Sequence, residues 1–114
     1  MDIEFTSKKL AKEMNEAKAM QKAHGSKRSR ILKIVMTALR AAPTLAVFAP
    51  PYSPPHRCHE LTGNRKGQLS LDLDGQFRLI FKSQHNPAPM RPEGGLDWAQ
   101  VTAIKIIGVD DTHG

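Results

Sequence analysis

A chain of 114 residues, 39% hydrophobic and with one cysteine, is sized for a single domain over residues 1–114 and cannot form an intrachain disulfide. No apolar run reaches membrane-spanning length, and the opening MDIEFTSKKLAKEMNEAK lacks the apolar core of a secretion signal, so a cytoplasmic chain with no membrane partner is expected. The net charge of +6 is uneven: residues 1–40 hold ten cations and four anions, 41–70 three and one, 71–114 four and six. A polyanionic partner, nucleic acid or an acidic protein, therefore competes with the plain reading of a solvated basic helical face.

In chain order, Asp2 to Phe5 alternates as a short first strand. Thr6 or Ser7 is placed to cap a helix running to about Ala23, with Leu10, Met14 and Ala17 on one face. Gly25 ends it. Ser26 begins a second helix, with Ile31, Val35, Leu39 and Ala42 at helical spacing. Two helices joined at His24-Gly25-Ser26 form an antiparallel hairpin. The four prolines between Pro50 and Pro55 forbid regular structure and mark an irregular crossover.

The strands that follow are clearer. Leu69, Leu71 and Leu73 alternate with polar residues, as do Phe77, Leu79 and Phe81 with Arg78, Ile80 and Lys82. A two-residue Asp74-Gly75 turn would oppose Leu71 and Arg78 and mix the faces. Opposing Leu73 and Phe77 keeps the apolar residues together, so a three-residue loop or a bulge is expected. Gln68, Ser70, Asp72, Arg78 and Lys82 then lie on the face away from the main core. Residues 83–97 read as a long polar loop. Val101 to Val109 is apolar on both faces and so belongs inside the sheet.

Several residues could carry chemistry. Gly63-Asn64-Arg65-Lys66-Gly67 is a cationic turn bracketed by glycines, suited to a phosphate, though ordinary basic turns look the same. Arg78 in mid-strand needs either a ligand or a cross-strand partner such as Asp72. His59 is a candidate for general acid–base work or a plain surface histidine. His56, Cys58 and His59 lack the spacing of a zinc site, so no metal and no cofactor are expected. Asp110, Asp111 and His113 sit in a polar tail. Tyr52 and Trp98 are the only tyrosine and tryptophan, and they make no array for stacking several bases.

Together, RCHELTGNRKGQLSLDLDGQFRLIF and LDWAQVTAIKIIGVDDTH resemble the RelE/ParE superfamily of bacterial toxins, and within it the HigB-type subgroup called plasmid-maintenance killer proteins. The resemblance extends over nearly the whole chain. It implies an α+β fold, a small antiparallel sheet with the helical hairpin packed on one face. It also implies ribosome-dependent, metal-independent endoribonuclease cleavage of mRNA, which inhibits translation. The expected partners are a cognate antitoxin of helix-turn-helix type, the ribosome and mRNA, and operator DNA only through the antitoxin complex.

By the same resemblance His59, Arg78, Asp111 and His113 are catalytic, while Arg65 and Lys66 bind RNA phosphate. Asp111 and His113 are expected to face Arg78 and His59 across a groove. Two positions depart from the family: Thr112 replaces its tyrosine, and Thr62 replaces a lysine before the turn glycine. The alternatives are a non-cleaving ParE-like poison of DNA gyrase and a catalytically weakened toxin acting mainly in an antitoxin–operator complex.

Overall fold

A computed structural model describes residues 1–49 and 57–111. The proline-rich crossover and His56, and at the other end Thr112 and His113, lie outside the described residues.

Strand β1 (Asp2–Phe5) leads into helix α1 (Lys8–Asn15), whose first turn is capped by the Ser7 hydroxyl accepting from the Leu10 amide at 3.0 Å. Helix α2 (Ala17–Ala41) is kinked at Gly25, with φ 79° and ψ 169°. That left-handed backbone is open to glycine without a steric penalty, and it separates two antiparallel limbs, as the sequence predicts. A second break was not expected. Glu16 is extended, with φ −114° and ψ 122°, and divides α1 from α2. Met14 and Met20 are both buried, with Leu32 and Met36, in the core. Six residues apart on one straight helix they would point about 120° apart. The break at Glu16 resets the phase so that both face inward. At the far end of α2 the α-amino group of Met1 donates to the carbonyls of Leu39 (3.2 Å), Arg40 (3.1 Å) and Ala42. A cation there satisfies carbonyls that have no helical partner.

The remaining strands are β2 (His59–Glu60), β3 (Gln68–Asp72), β4 (Phe77–Ser83) and β5 (Ala103–Asp111), in a five-stranded sheet ordered β1-β5-β4-β3-β2. The β1–β5 pair is parallel and the others antiparallel, so the sheet is mixed; the long connection after β1 permits a parallel return. Strand β5 lies between β1 and β4, inside the sheet as its apolar character requires. Leu71 opposes Leu79, and the Leu73 amide donates to the Phe77 carbonyl at 3.0 Å. The connection is thus the three-residue loop Asp74-Gly75-Gln76, with the φ of Gly75 at 56°. Between Ile80 and Phe81 the β4–β5 register shifts: Phe81 pairs with Ile106 but Ile80 with Gly108, leaving Ile107 as one extra residue on β5.

The helices cover one face. Leu32, Val35, Met36 and Leu39 are buried in one cluster with Leu69, Leu71, Leu79, Phe81, Ile104 and Ile106. At one end Arg28 of α2 lies 3.6 Å over the Phe77 ring centre and forms an ion pair with Asp74, Nε to Oδ1 at 2.7 Å. Both side chains are largely buried, and this clamps the second limb of α2 to the β3–β4 loop. The Arg28 hydrogen bond holds the Asp74 carboxyl below its ordinary value. The other face carries Gln68, Ser70, Asp72, Arg78 and Lys82, as expected from the register. Among the described residues no helix is long and apolar enough to cross a membrane.

Candidate active site

The open face is organised by strand pairing. Asp72 opposes Arg78, and Arg78 opposes Asp110, so three charged residues form one row across β3, β4 and β5. Neighbouring members of such a row lie about 5 Å apart, within side-chain reach. In the next row His59 opposes Ser70, on edge strand β2.

Asp72 is the hub. Its Oδ1 lies 2.8 Å from Arg78 Nε and 3.9 Å from His59 Nε2, and its Oδ2 lies 3.7 Å from Arg57 Nε. Oδ1 is fully buried and, among the described residues, no donor is aligned with it as a hydrogen bond, so the Arg78 contact is an ion pair by proximity. Arg78 is itself steered by an Nη1 bond to the Phe77 carbonyl at 3.1 Å. The cross-strand partner that a purely structural arginine would need is therefore present. Arg65, at the end of the 3-10 turn Gly63–Arg65, folds back onto the face and joins Asp110 through its Nη2. The turn needs its glycines: Gly63 and Gly67 have φ of 65° and 94°. Lys66 is exposed at the turn.

Three arginines, a histidine and two carboxylates thus meet on one surface. The arginines outnumber the acids, which suits a phosphodiester. The His59 imidazole stands beside Asp72 on the same surface, 3.9 Å from its Oδ1. From the sequence Asp72 is expected only as a pairing partner and Asp110 only as part of a polar tail, and Arg57 carries no expectation. The place of Asp110 opposite Arg78 depends on the register shift between Ile80 and Phe81, which the apolar run of β5 does not signal.

Asp111 is placed differently from the expectation. It opposes Phe77, whose ring lies under Arg28 on the helix side, and accepts from the Gln76 side chain at 2.9 Å. Strand residues alternate between faces. Because Asp110 joins the Arg78 row, Asp111 is turned to the opposite face and does not approach Arg78 or His59. The expectation for His113 falls outside the described residues. Cys58, beside His59, is buried, and burial pushes its thiol up to about 12, so it is no nucleophile at neutral pH. Among the described residues no three histidine, cysteine or carboxylate side chains come together to hold a metal ion.

No family model matches the chain and no curated protein does. Solved structures do match its shape. YafQ from E. coli strain BL21(DE3) superposes with a TM-score of 0.56 at 21% identity, over 97% of this chain and 92% of that one. A mutant of YafQ from E. coli gives 0.51 at 23% identity, again over 97% and 92%. A likeness at this level of identity establishes architecture. The chain has the RelE/ParE-type fold seen in YafQ, the fold that its own sequence resembles.

Proposed function

We propose that residues 1–114 form the toxin of a type II toxin–antitoxin pair, of HigB type, and that it cuts ribosome-bound mRNA without a metal. YafQ is a RelE-family toxin, and this chain shares its fold. The observation that carries the reading is the row Asp72–Arg78–Asp110 on the uncovered sheet face, with His59 at 3.9 Å from the shared carboxylate.

In this reaction the ribose 2′-oxygen bonds to the neighbouring phosphorus as its proton is taken, and the bond to the 5′-oxygen breaks as that oxygen is protonated. His59 serves one of these proton transfers. Arg78 donates to the oxygens of the pentacoordinate phosphorus, where charge builds up. Arg65 and Lys66 hold flanking phosphates. Asp72 and Asp110 keep the two arginines extended on the face until phosphate competes for them. The family resemblance gives the second proton transfer to His113. Asp111 keeps to the loop end of the sheet, beside Gln76. The basic helices ride on ribosomal RNA, an interaction that weakens steeply with salt. The partners are a helix-turn-helix antitoxin, the ribosome and mRNA, with operator DNA reached through the antitoxin.

The test is primer extension on a defined message with purified ribosomes, in EDTA too dilute to disrupt them. The expected products end in 2′,3′-cyclic or 3′-phosphate. A 3′-hydroxyl product, or cleavage that stops with EDTA while translation continues, would overturn the chemistry. A weakened toxin, acting mainly in the antitoxin complex, is favoured by one feature: Arg78 and Arg65 are each already paired to a carboxylate. Intact message beside tight antitoxin binding would select that second reading.

A further inference from the structure

Beside His59, on the edge of the sheet, lies a cleft of about 550 Å³ lined by Ala49, Cys58, His59, Arg91, Leu96 and Trp98 among others. Its size is that of small-molecule sites, and its lining mixes apolar side chains with a few polar and charged ones, as theirs does. The loop that builds it, expected from the sequence as a long polar loop, is tied together by backbone bonds. Met90 bridges to Leu96, and the Arg91 amide donates to the Gly95 carbonyl at 2.9 Å. The Asp97 amide donates to the Pro89 carbonyl at 2.8 Å.

Two side chains in the cleft are fixed by contacts that leave a defined surface for a ligand. Glu60 accepts from the Leu96 amide at 3.0 Å through Oε1 and from the Trp98 indole N–H at 3.2 Å through Oε2. With its N–H used, what Trp98 can offer is the face of its ring. Arg91 is anchored through Nε to the Gly94 carbonyl at 3.2 Å. Its Nη2 would lie 2.8 Å from a Cβ at residue 95, where the chain has glycine with φ +83°. The guanidinium thus lies over Gly95, where a larger residue would push it aside, and its Nε is also 3.7 Å from Glu93 Oε1. An aromatic ring, a forked donor and a carboxylate, Asp97, among the lining residues form a set that matches a purine: stacking for the ring, Arg91 for N7 and O6, Asp97 for N–H groups. His59 belongs to both the cleft and the Asp72–Arg78 cluster.

We propose that this cleft binds a purine base, guanine in preference to adenine, of the nucleotide next to the phosphate held on the open face. The choice of substrate rests on the RNA-cutting reading above; the binding itself does not. The cleft gives the enzyme a way to select where it cuts that is separate from its phosphate contacts.

Trp98 is the only tryptophan, so its emission reports this cleft alone. The full chain is titrated with GMP, AMP, CMP and UMP, and with ribose 5-phosphate as the base-free control. GMP is expected to quench saturably, AMP more weakly, and ribose 5-phosphate not at all. By calorimetry, Trp98→Ala should weaken GMP binding about 5- to 150-fold, the usual worth of one stacked base, while Trp98→Phe, which keeps an aromatic face, retains most of it. Gly95→Ala, which displaces Arg91, should erase the preference for GMP over AMP. Quenching without cleavage on ribosomes would sink the enzyme reading and leave the pocket standing. Cleavage with Trp98 emission unmoved by millimolar nucleotide, or equal quenching by ribose 5-phosphate, would overturn the pocket.

Discussion

Replacing Arg78 with alanine separates the two roles its geometry allows. The side chain lies 2.8 Å from Asp72 Oδ1, an oxygen with no access to water. Its loss strands a buried carboxylate oxygen, which costs about 1–3 kcal/mol; the nearby Arg57 and His59, at 3.7 and 3.9 Å, keep it to the lower half, about 1–2 kcal/mol. For a chain of this size that is a fall in Tm of roughly 3–12 °C. Asp72→Ala placed on top of Arg78→Ala removes the stranded charge and should restore most of the lost stability. Catalysis should respond otherwise. A donor aimed at the phosphorane is worth about 10²–10³ in rate, so the single and the double variant should both lose that much ribosome-dependent cleavage. Thermal melting and primer extension at equal protein concentration read the two effects side by side. Cleavage returning in the double variant would show that Arg78 only neutralises Asp72. The assignment of the open face as the active surface would then fail.

Other expectations bear on the rest of the molecule. Asp111→Asn should leave cleavage within a few-fold of the unmodified chain, since Asp111 stands on the helix side; a hundredfold loss would refute its placement. Arg28→Ala removes a largely buried ion pair and a cation–ring contact and should lower stability by about 2–4 kcal/mol with cleavage kept. Because the folded Asp74 carboxyl titrates below its usual 3.8, its contribution is complete above that pH and is lost as pH falls through the folded value. The gap in Tm between the two proteins should therefore be constant near neutrality and close in acid. Cys58, buried with its thiol raised to about 12, should resist a thiol reagent at pH 8 until denaturant is added.

What could be read from residues alone follows from what each signal encodes. The β3–β4 register was legible because leucines and phenylalanines must share a face, and that single demand outweighed the Asp-Gly turn signal. The Gly25 kink was legible because a glycine, which favours helix ends, stood directly before Ser26, a capping residue. The break at Glu16 was not, because its cause is distant: Met14 and Met20 must both meet the second limb of α2, and nothing local to Glu16 records that. The loop carrying Arg91 and Trp98 looked featureless because its order comes from backbone bonds and from Glu60, thirty residues or more upstream. Asp111 was misplaced because Ile104, Ile106, Ile107 and Val109 are apolar in either phase, so the strand announces no face.

The extra residue in β5 decides the composition of the site. Had the pairing of Phe81 with Ile106 continued without interruption, Gly108 would have opposed Leu79, leaving a gap among the buried residues under the helices. Val109 would then have opposed Arg78, and Asp110 would have turned to the helix side beside Phe77. The bulge at Ile107 shifts all of these by one. Gly108 moves to the open face opposite Ile80, Val109 fills the place beside Leu79, and Asp110 arrives next to Arg78. Asp110 in turn is what Arg65 folds back onto. One inserted residue therefore accounts for the filled core, for the second carboxylate of the row, and for the inward course of the cationic turn. Bulges are known for re-aiming side chains beside active sites, and here the re-aimed residue is the one that ties the Gly63–Gly67 turn to the Arg78 face.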